Sequence, residues 1–223
     1  MYNKNLIDFN NFSFRYNKDD DVIFKDISFS IVNNSVNFII GDNGSGKTTL
    51  FKAIFHNYLY KNYSDFIKIN AKYIGFIWDF HNFYDKLTVY QNIKLYFELS
   101  KNKNIKIDFN KSVDLFFEYF KIEKSYLNKT ISELSFGYKQ KILIIRELIT
   151  FKEILLIDEP FLGLDYSSYY SFLKILSDFY NQISFIIFTQ NPNVVYDFNN
   201  INKSNLNLNK ISLNSKITLF SLF

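Results

Sequence analysis

The chain has 223 residues, of which 48% are hydrophobic and 20% aromatic, a composition that argues against intrinsic disorder and suits one α/β domain. The formal net charge is only +4 and the lysines form no basic stripe, so we expect no nucleic-acid partner. Cysteine is absent, which excludes disulfides, thiolate zinc sites and a cysteine nucleophile. Because no apolar run reaches the roughly 18 to 20 residues of a membrane span, work at a membrane would require a membrane-spanning partner.

The chain alternates predicted strands and helices throughout its length. Alternating apolar residues predict two strands at residues 6–16 and 22–32, which suggest a small antiparallel β subdomain. A continuous apolar run then predicts a buried strand at 36–40, followed by a glycine-rich turn and a helix. Further strands are predicted at 67–69, 73–77, 153–157 and 183–189. Further helices are predicted at 89–99, 112–120 and 166–180, the last with Asp165 as its cap. Another predicted helix follows from residues 131–140 and ends near residue 149. Two weakly alternating runs follow near 206–208 and 217–219.

The turn between the strand at 36–40 and its helix has the pattern of a phosphate-binding loop, G-x-x-x-x-G-K-[ST]. Three of the six glycines in the chain lie within this turn. Glycines allow positive φ and leave room beside the backbone, so the amide N–H groups can surround an anion at the helix N-terminus. Lys47 can reach the β- and γ-phosphates, and the Thr48 hydroxyl can ligate Mg²⁺. We expect a nucleoside triphosphate to contact Gly41, Asp42, Asn43, Gly44, Ser45, Gly46, Lys47, Thr48 and Thr49.

A second motif lies where the apolar strand at 153–157 ends in Asp158 and Glu159. An aspartate at the carboxyl end of a parallel strand can hold Mg²⁺ directly or through water. The adjacent glutamate can polarise a water that attacks the γ-phosphate. Taken alone, two such carboxylates can be solvated charges at a strand end. Their pairing with a phosphate loop favours a catalytic interpretation, with Glu159 and Lys47 in the reaction and Asp158 and Thr48 as metal ligands.

With these motifs in place, the chain resembles the ATP-binding cassette (ABC) ATPases over nearly its whole length. Residues 134–138, Leu-Ser-Phe-Gly-Tyr, stand where that family has its signature L-S-G-G-Q, and residues 163–165 match its D-loop. The resemblance implies the ABC fold of the phosphate-loop ATPases, a mostly parallel core sheet with an antiparallel β subdomain and a helical subdomain at about 88–135. It also implies a dimer in which Ser135 and Gly137 of one subunit contact the nucleotide of the other. Tyr16 matches the aromatic residue that stacks on adenine, although in a tyrosine-rich chain it can be an ordinary strand-end aromatic.

The chain departs from the family pattern at three places. Phe136 and Tyr138 replace glycine and glutamine of the signature. Asp79 stands where the family has the glutamine of its Q-loop, and Gln190 stands where it has the histidine of its switch region. By analogy, Asp79 would act near the metal and Gln190 near the γ-phosphate, but a glutamine does not titrate as histidine does. We therefore expect tight ATP binding and slow hydrolysis. The two histidines, His56 and His81, lie elsewhere and are expected to be non-catalytic.

Within the family, the chain is most similar to the heme-exporter ATPases of cytochrome c maturation. Residues 159–161, Glu-Pro-Phe, and residues 189–192, Thr-Gln-Asn-Pro, resemble motifs of that branch. The resemblance implies ATP and Mg²⁺ as cofactors, and a membrane-spanning subunit and a second ABC ATPase subunit as partners. The resemblance also implies that the protein works at the cytoplasmic face of the bacterial inner membrane or at the matrix side of the mitochondrial inner membrane. The alternatives are a generic ABC exporter ATPase, a soluble ABC ATPase of iron–sulfur assembly and a nucleotide-sensing subunit without activity.

Overall fold

The computed structural model describes residues 4–78, 83–100, 107–150, 152–202 and 208–222. It contains two β-sheets and a set of helices. The strands are β1 (Asn5–Phe14), β2 (Phe24–Val32), β3 (Val36–Gly41), β4 (Ile67–Ile69), β5 (Ile74–Ile77), β6 (Ile154–Asp158), β7 (Ser184–Thr189), β8 (Leu208–Ser212) and β9 (Ile217–Leu222). The α-helices are α1 (Lys47–Tyr60), α2 (Val89–Leu99), α3 (Phe109–Tyr119), α4 (Phe136–Leu148), α5 (Tyr166–Phe179) and α6 (Val194–Ile201).

The larger sheet has the strand order β5-β6-β7-β3-β9-β8. Strands β5, β6, β7 and β3 run parallel, whereas β9 is antiparallel to β3 and β8 is antiparallel to β9. A separate antiparallel sheet has the order β2-β1-β4. The predicted fold class, a mostly parallel core sheet accompanied by an antiparallel β unit, is confirmed.

The central strands consist almost entirely of buried apolar residues, as expected of a parallel sheet covered on both faces. All six residues of β7 and the first four of β6 are buried. One apolar cluster joins one face of this sheet to α4 and α5, and a second joins the other face to α1 and the antiparallel sheet. Because both faces of the core sheet are covered, a ligand-binding site is expected at the polar loops where its strands end.

Side-chain caps define where several helices begin. Thr88 accepts a hydrogen bond from the backbone N–H of Gln91 and forms a capping box at the start of α2. Asp165 accepts from the N–H of Ser168 at the start of α5, which confirms the predicted cap. Asp108 caps α3 and makes this helix begin at 109, three residues before the predicted start at 112.

The segment between residues 88 and 135 holds α2, α3 and two short 3₁₀ helices, Lys124–Asn128 and Ile131–Glu133. The assignment of this segment as a helical subdomain within a single 1–223 domain stays a prediction. Among the described helices, none has both the length and the apolar character needed to cross a lipid bilayer. Of the two weak C-terminal runs, residues 217–219 lie in β9, and Leu208 begins β8, whereas residues 206 and 207 lie outside the described residues. The hairpin β8–β9 extends the core sheet through β3.

Candidate active site

The glycine-rich turn connects β3 to α1 and has the backbone geometry of an anion-binding loop. Gly44 and Gly46 adopt positive φ values of 74° and 110°, which residues with a side chain rarely adopt. A Cβ at Gly46 would lie 2.7 Å from Ile23, and a Cβ at Gly41 would lie 2.6 Å from the carbonyl of Lys216. Glycine is therefore required here for close packing as well as for φ. Helix α1 begins at Lys47, so its N-terminal amide groups face the turn.

Lys47 is held in the site by three oxygen atoms. Its Nζ donates to the carbonyls of Gly41 at 2.7 Å and Asp42 at 3.2 Å, and lies 3.5 Å from Oε1 of Glu159. The side chain of Lys47 is only 7% exposed, whereas that of Glu159 is 28% exposed. The ammonium group is thus positioned beside the turn, where an anionic ligand could replace the contact with Glu159.

Two oxygen ligands of the kind that Mg²⁺ prefers meet at the start of α1. The Thr48 hydroxyl donates to Oδ2 of Asp158 at 3.3 Å, which joins the phosphate loop to the end of β6. Burial raises the pKa of the Asp158 carboxyl, and the neighbouring Glu159 raises it further. A cation at this position would offset both effects. One hydroxyl and one carboxylate suit a Mg²⁺ ion that also binds phosphate oxygens and water. Within the described residues, no cluster of three or more His, Cys, Asp or Glu residues forms a separate metal site.

Glu159 has an unusual backbone conformation for a residue with a side chain, because its φ is 45°. Its N–H donates to the carbonyl of Phe188 at 2.8 Å, which fixes the residue against β7. Its Oε2 accepts from the backbone N–H of Gln190 at 3.4 Å. The carboxylate therefore lies between Lys47 and the start of the loop after β7, and its role in orienting water stays a prediction.

These groups line one open cleft of about 310 Å³. The structure thus brings together most of the predicted nucleotide-contacting residues, including those far apart in sequence. Of the predicted site, the cleft is lined by Tyr16, Asp42, Asn43, Gly44, Gly46, Lys47, Thr48, Thr49, Asp158 and Glu159. A larger groove of about 690 Å³ between α3 and α5 is lined by tyrosines, serines, charged residues and one leucine, and it contains none of these groups.

Tyr16 lies at the rim of this cleft, just beyond the end of β1. Its hydroxyl is 2.8 Å from the hydroxyl of Thr49, and its ring contacts Phe14 edge to face at 5.2 Å. The residue is 63% exposed, so a ligand in the cleft could reach its ring. The stacking of adenine on this ring stays a prediction.

Two other predicted residues lie outside this cleft, at the start of α4. Ser135 is the helix cap and accepts from the N–H of Tyr138 at 3.4 Å. A Cβ at Gly137 would lie 2.5 Å from the carbonyl of Gly163, so this glycine allows α4 to pack against the turn after Glu159. The role of Ser135 and Gly137 toward a second subunit, which the resemblance implied, stays a prediction.

The two replacements in the signature have different surroundings. Phe136 is 45% exposed, and its ring covers Gly163. Tyr138 instead stacks on Tyr126, with ring centroids 4.4 Å apart and planes inclined by 12°. Lys141 lies 4.6 Å from the centre of the Tyr138 ring. Tyr138 is therefore part of an internal stack rather than a group aimed at a ligand.

Sequence reasoning missed two residues that support the site. Asn214, in the turn between β8 and β9, donates to the carbonyls of Ile23 at 3.1 Å and Ser45 at 3.3 Å. These hydrogen bonds fix the phosphate loop to the turn between β8 and β9. Gln140 on α4 donates to the carbonyl of Pro160 at 3.1 Å. Both residues act through backbone carbonyls distant in sequence, and asparagine is too common in this chain to mark Asn214 as a candidate.

Two positions singled out in the sequence, Asp79 and His81, lie outside the described residues. His56 is on α1, where its ring contacts Phe55 and Tyr60. It does not line the cleft of the phosphate loop. This placement agrees with a non-catalytic role for His56.

Comparisons with known proteins agree with this geometry. A family model described as ABC transporter matches residues 24–162. The phosphate import ATP-binding protein PstB of Saccharolobus solfataricus is 30% identical over 200 residues, covering 79% of this chain and 76% of that protein. The methionine import ATP-binding protein MetN 1 of Staphylococcus aureus is 30% identical, covering 87% of this chain and 61% of that protein. The cytochrome c biogenesis ATP-binding export protein CcmA of Reclinomonas americana is 33% identical, covering 66% and 68%.

Solved structures share the fold. The ATP-binding cassette MJ0796, in a dimeric post-hydrolysis state with ADP and Pi, aligns with a TM-score of 0.70 at 21% identity, covering 86% of this chain and 91% of that one. The protein cbiO1 of Clostridium perfringens, part of the ABC transporter complex cbiONQ, aligns with a TM-score of 0.66 at 24% identity, covering 87% and 82%.

Proposed function

The chain belongs to the ABC transporter family as an ATPase subunit, and we propose that ATP binding and hydrolysis in its cleft drive a membrane-spanning partner. The observation that carries this proposal is the convergence of Lys47, Thr48, Asp158 and Glu159 around one cleft at the N-terminus of α1. These groups supply a cation for phosphates, two oxygen ligands for Mg²⁺ and a carboxylate for the attacking water.

Each residue has a distinct part in the proposed reaction. Lys47 would leave Glu159 and bind the β- and γ-phosphates. Thr48 and Asp158 would hold Mg²⁺, whose charge would offset that of the phosphate oxygens. Glu159, freed from Lys47, orients water toward the γ-phosphate. Asp79 and Gln190 are proposed to act near the metal and near the γ-phosphate, respectively.

A second subunit is proposed to complete the site, because Ser135 and Gly137 do not line the cleft of their own chain. Both lie at the N-terminus of α4, where backbone N–H groups and the helix dipole favour an anion. In a homodimer, each α4 would face the phosphate loop of the other copy. ATP would then close the dimer and move the membrane subunit, with the chain bound peripherally on the cytoplasmic or mitochondrial matrix side.

Hydrolysis is proposed to be slow relative to binding. The phosphate loop retains every element of its motif, whereas the position of the switch histidine holds Gln190, which cannot exchange a proton near neutral pH. The test is the turnover of the purified chain with Mg²⁺ and ATP, measured as phosphate release. Turnover at the level of ordinary family members would contradict slow hydrolysis, and no turnover at all would favour a nucleotide-sensing subunit.

The proposed substrate class is heme, for export in cytochrome c maturation. Support comes from residues 159–161 and 189–192, which resemble that branch, and from the likeness to CcmA. The test is the ATPase activity of the complex purified from native membranes through a tag on this chain. Hemin should stimulate hydrolysis, whereas stimulation by phosphate or methionine but not by hemin would contradict this substrate class and favour another transporter.

A further inference from the structure

The backbone of Glu159 requires support from its surroundings. A φ of 45° is strained for a glutamate, and strained residues of this kind persist where neighbouring contacts determine the conformation. Two backbone hydrogen bonds are made by Glu159 itself. Its N–H donates to the carbonyl of Phe188 at 2.8 Å, and its carbonyl accepts from the N–H of Leu162 at 3.2 Å. A third contact reaches the next residue, Pro160, from α4.

This third contact is made by Gln140, a fully buried amide on α4. Its Nε2 donates to the carbonyl of Pro160 at 3.1 Å. The Oε1 of the same amide is buried and has no hydrogen-bond partner within the part of the chain that the structure describes. An apolar side chain would fill the position without desolvating an unpaired oxygen, so packing alone does not account for glutamine here. The hydrogen bond to Pro160 does.

Other contacts along α4 hold the same turn farther from Glu159. Lys141 lies 3.3 Å from Oδ2 of Asp165, and Gly137 packs directly against the carbonyl of Gly163. The turn at 160–165 is therefore held by α4 at several points. Gln140 makes the contact that lies one peptide unit from Glu159.

We propose that Gln140 is a positioning residue for ATP hydrolysis, acting by holding the Pro160 carbonyl and thereby the orientation of the Glu159 carboxylate. The inference rests on the proposed role of Glu159 in orienting water. Gln140 does not line the cleft, so it has no direct contact to offer a bound nucleotide. Its loss should therefore slow the chemical step and leave nucleotide binding intact.

The test is Gln140→Met, which keeps the length and burial of the side chain but removes the hydrogen-bond donor. We expect kcat to fall about tenfold or more, since a misplacement of about 1 Å in an active site can cost on the order of 100-fold. The KM for ATP and the Kd for a non-hydrolysable analogue should stay within about twofold of wild type. The matched control is Ile142→Met, a buried apolar position two residues further along the same helix and therefore on a different side of it, which should keep the wild-type kcat.

The same substitution in a Glu159→Gln background separates positioning from stability. If Gln140 acts through Glu159, adding Gln140→Met to Glu159→Gln should cause no further loss of hydrolysis. If Gln140→Met does not fold, as judged by its thermal transition, Gln140→Asn replaces it, because the shorter amide cannot reach Pro160.

A wild-type kcat in a folded Gln140 variant, additive losses in the double variant, or a Kd that weakens as much as kcat falls would each overturn the inference. The activity of the wild-type chain in the same assay tests the proposed function separately. Inactive wild-type protein would contradict ATP hydrolysis itself. Active wild-type protein with an equally active Gln140→Met variant would remove only the positioning role.

Discussion

Replacing Glu159 with glutamine should change hydrolysis and ATP binding in opposite directions. Glutamine keeps the shape of the side chain but removes its charge and its ability to accept a proton. General-base catalysis typically contributes 10²- to 10⁴-fold, so we expect hydrolysis to fall by about 100-fold or more. The bound ATP would then persist, and the proposed dimer should accumulate in its closed form.

The effect on binding follows from the contact between Glu159 and Lys47. Their charged atoms are 3.5 Å apart, and in the proposed mechanism ATP displaces Glu159 from Lys47 when its phosphates bind the lysine. An ion pair that is partly exposed contributes up to ~1 kcal/mol. Removing that competition should tighten ATP binding by up to about fivefold. The Glu159 carboxylate would also repel the negatively charged γ-phosphate, and its removal therefore tightens binding further.

Binding can be measured with a fluorescent ATP analogue, hydrolysis as single-turnover phosphate release, and the dimer by light scattering with ATP. The matched control is Glu153→Gln, because Glu153 lies near the opposite end of β6 and accepts from the N–H groups of Lys72 and Tyr73, which glutamine can also do. The control should behave as wild type. Hydrolysis within threefold of wild type in Glu159→Gln would refute the assigned role of Glu159.

Three further predictions concern residues around the cleft and at the start of α4. Gly137→Ala would place a Cβ 2.5 Å from the carbonyl of Gly163. ATP binding by the isolated chain should stay within twofold, while ATP-driven dimer formation and hydrolysis should fall about tenfold, as checked by light scattering and phosphate release. Unchanged dimer formation would count against the proposed interface. Tyr16→Ala should weaken ATP binding by about tenfold or more, because base stacking contributes ~1–3 kcal/mol, but should leave the binding of inorganic tripolyphosphate unchanged. Tyr16→Phe, which loses only the bond to Thr49, should have a smaller effect, and an equal loss of tripolyphosphate binding would contradict stacking. Asp158→Asn should raise the thermal unfolding temperature of the nucleotide-free protein at pH 7 yet reduce hydrolysis by about 100-fold. Burial raises the pKa of Asp158, so ionisation of this carboxyl destabilises the folded protein as pH rises through that pKa. The difference in unfolding temperature between Asp158→Asn and wild type should therefore vanish at acidic pH. A difference that grows at acidic pH would refute this reasoning.

The local elements of the fold follow closely from sequence patterns. The glycine-rich turn between an apolar strand and a helix predicted the phosphate loop, and the structure places α1 directly after Gly46. The apolar run ending in Asp158 predicted β6, because continuous apolar residues of this length suit a covered parallel strand. Asp165 predicted the start of α5 through its side-chain cap. Such features depend on a few neighbouring residues, so the sequence contains the necessary information.

The start of α3 and the C-terminal strands were predicted less accurately. The start of α3 depends on Asp108, whose side chain caps the helix by accepting from the N–H of Lys111. The C-terminal strands alternate only weakly, since β8 is mostly exposed while β9 pairs with the buried strand β3. A weak local pattern becomes a regular strand there because the backbone of β3 offers hydrogen-bonding groups along one edge.

The sequence by itself determined which chemical groups the cleft can contain: a glycine-rich anion-binding turn, a lysine, a hydroxyl and two carboxylates. Only the tertiary structure decided their relations, because the strand order places Asp158 3.3 Å from Thr48 across 110 positions of the chain. It also assigned Asn214 and Gln140 to the support of Ser45 and Pro160 through backbone carbonyls. A backbone carbonyl has the same chemistry at every position, so contacts of this kind leave no pattern in the sequence and arise only when the chain is folded.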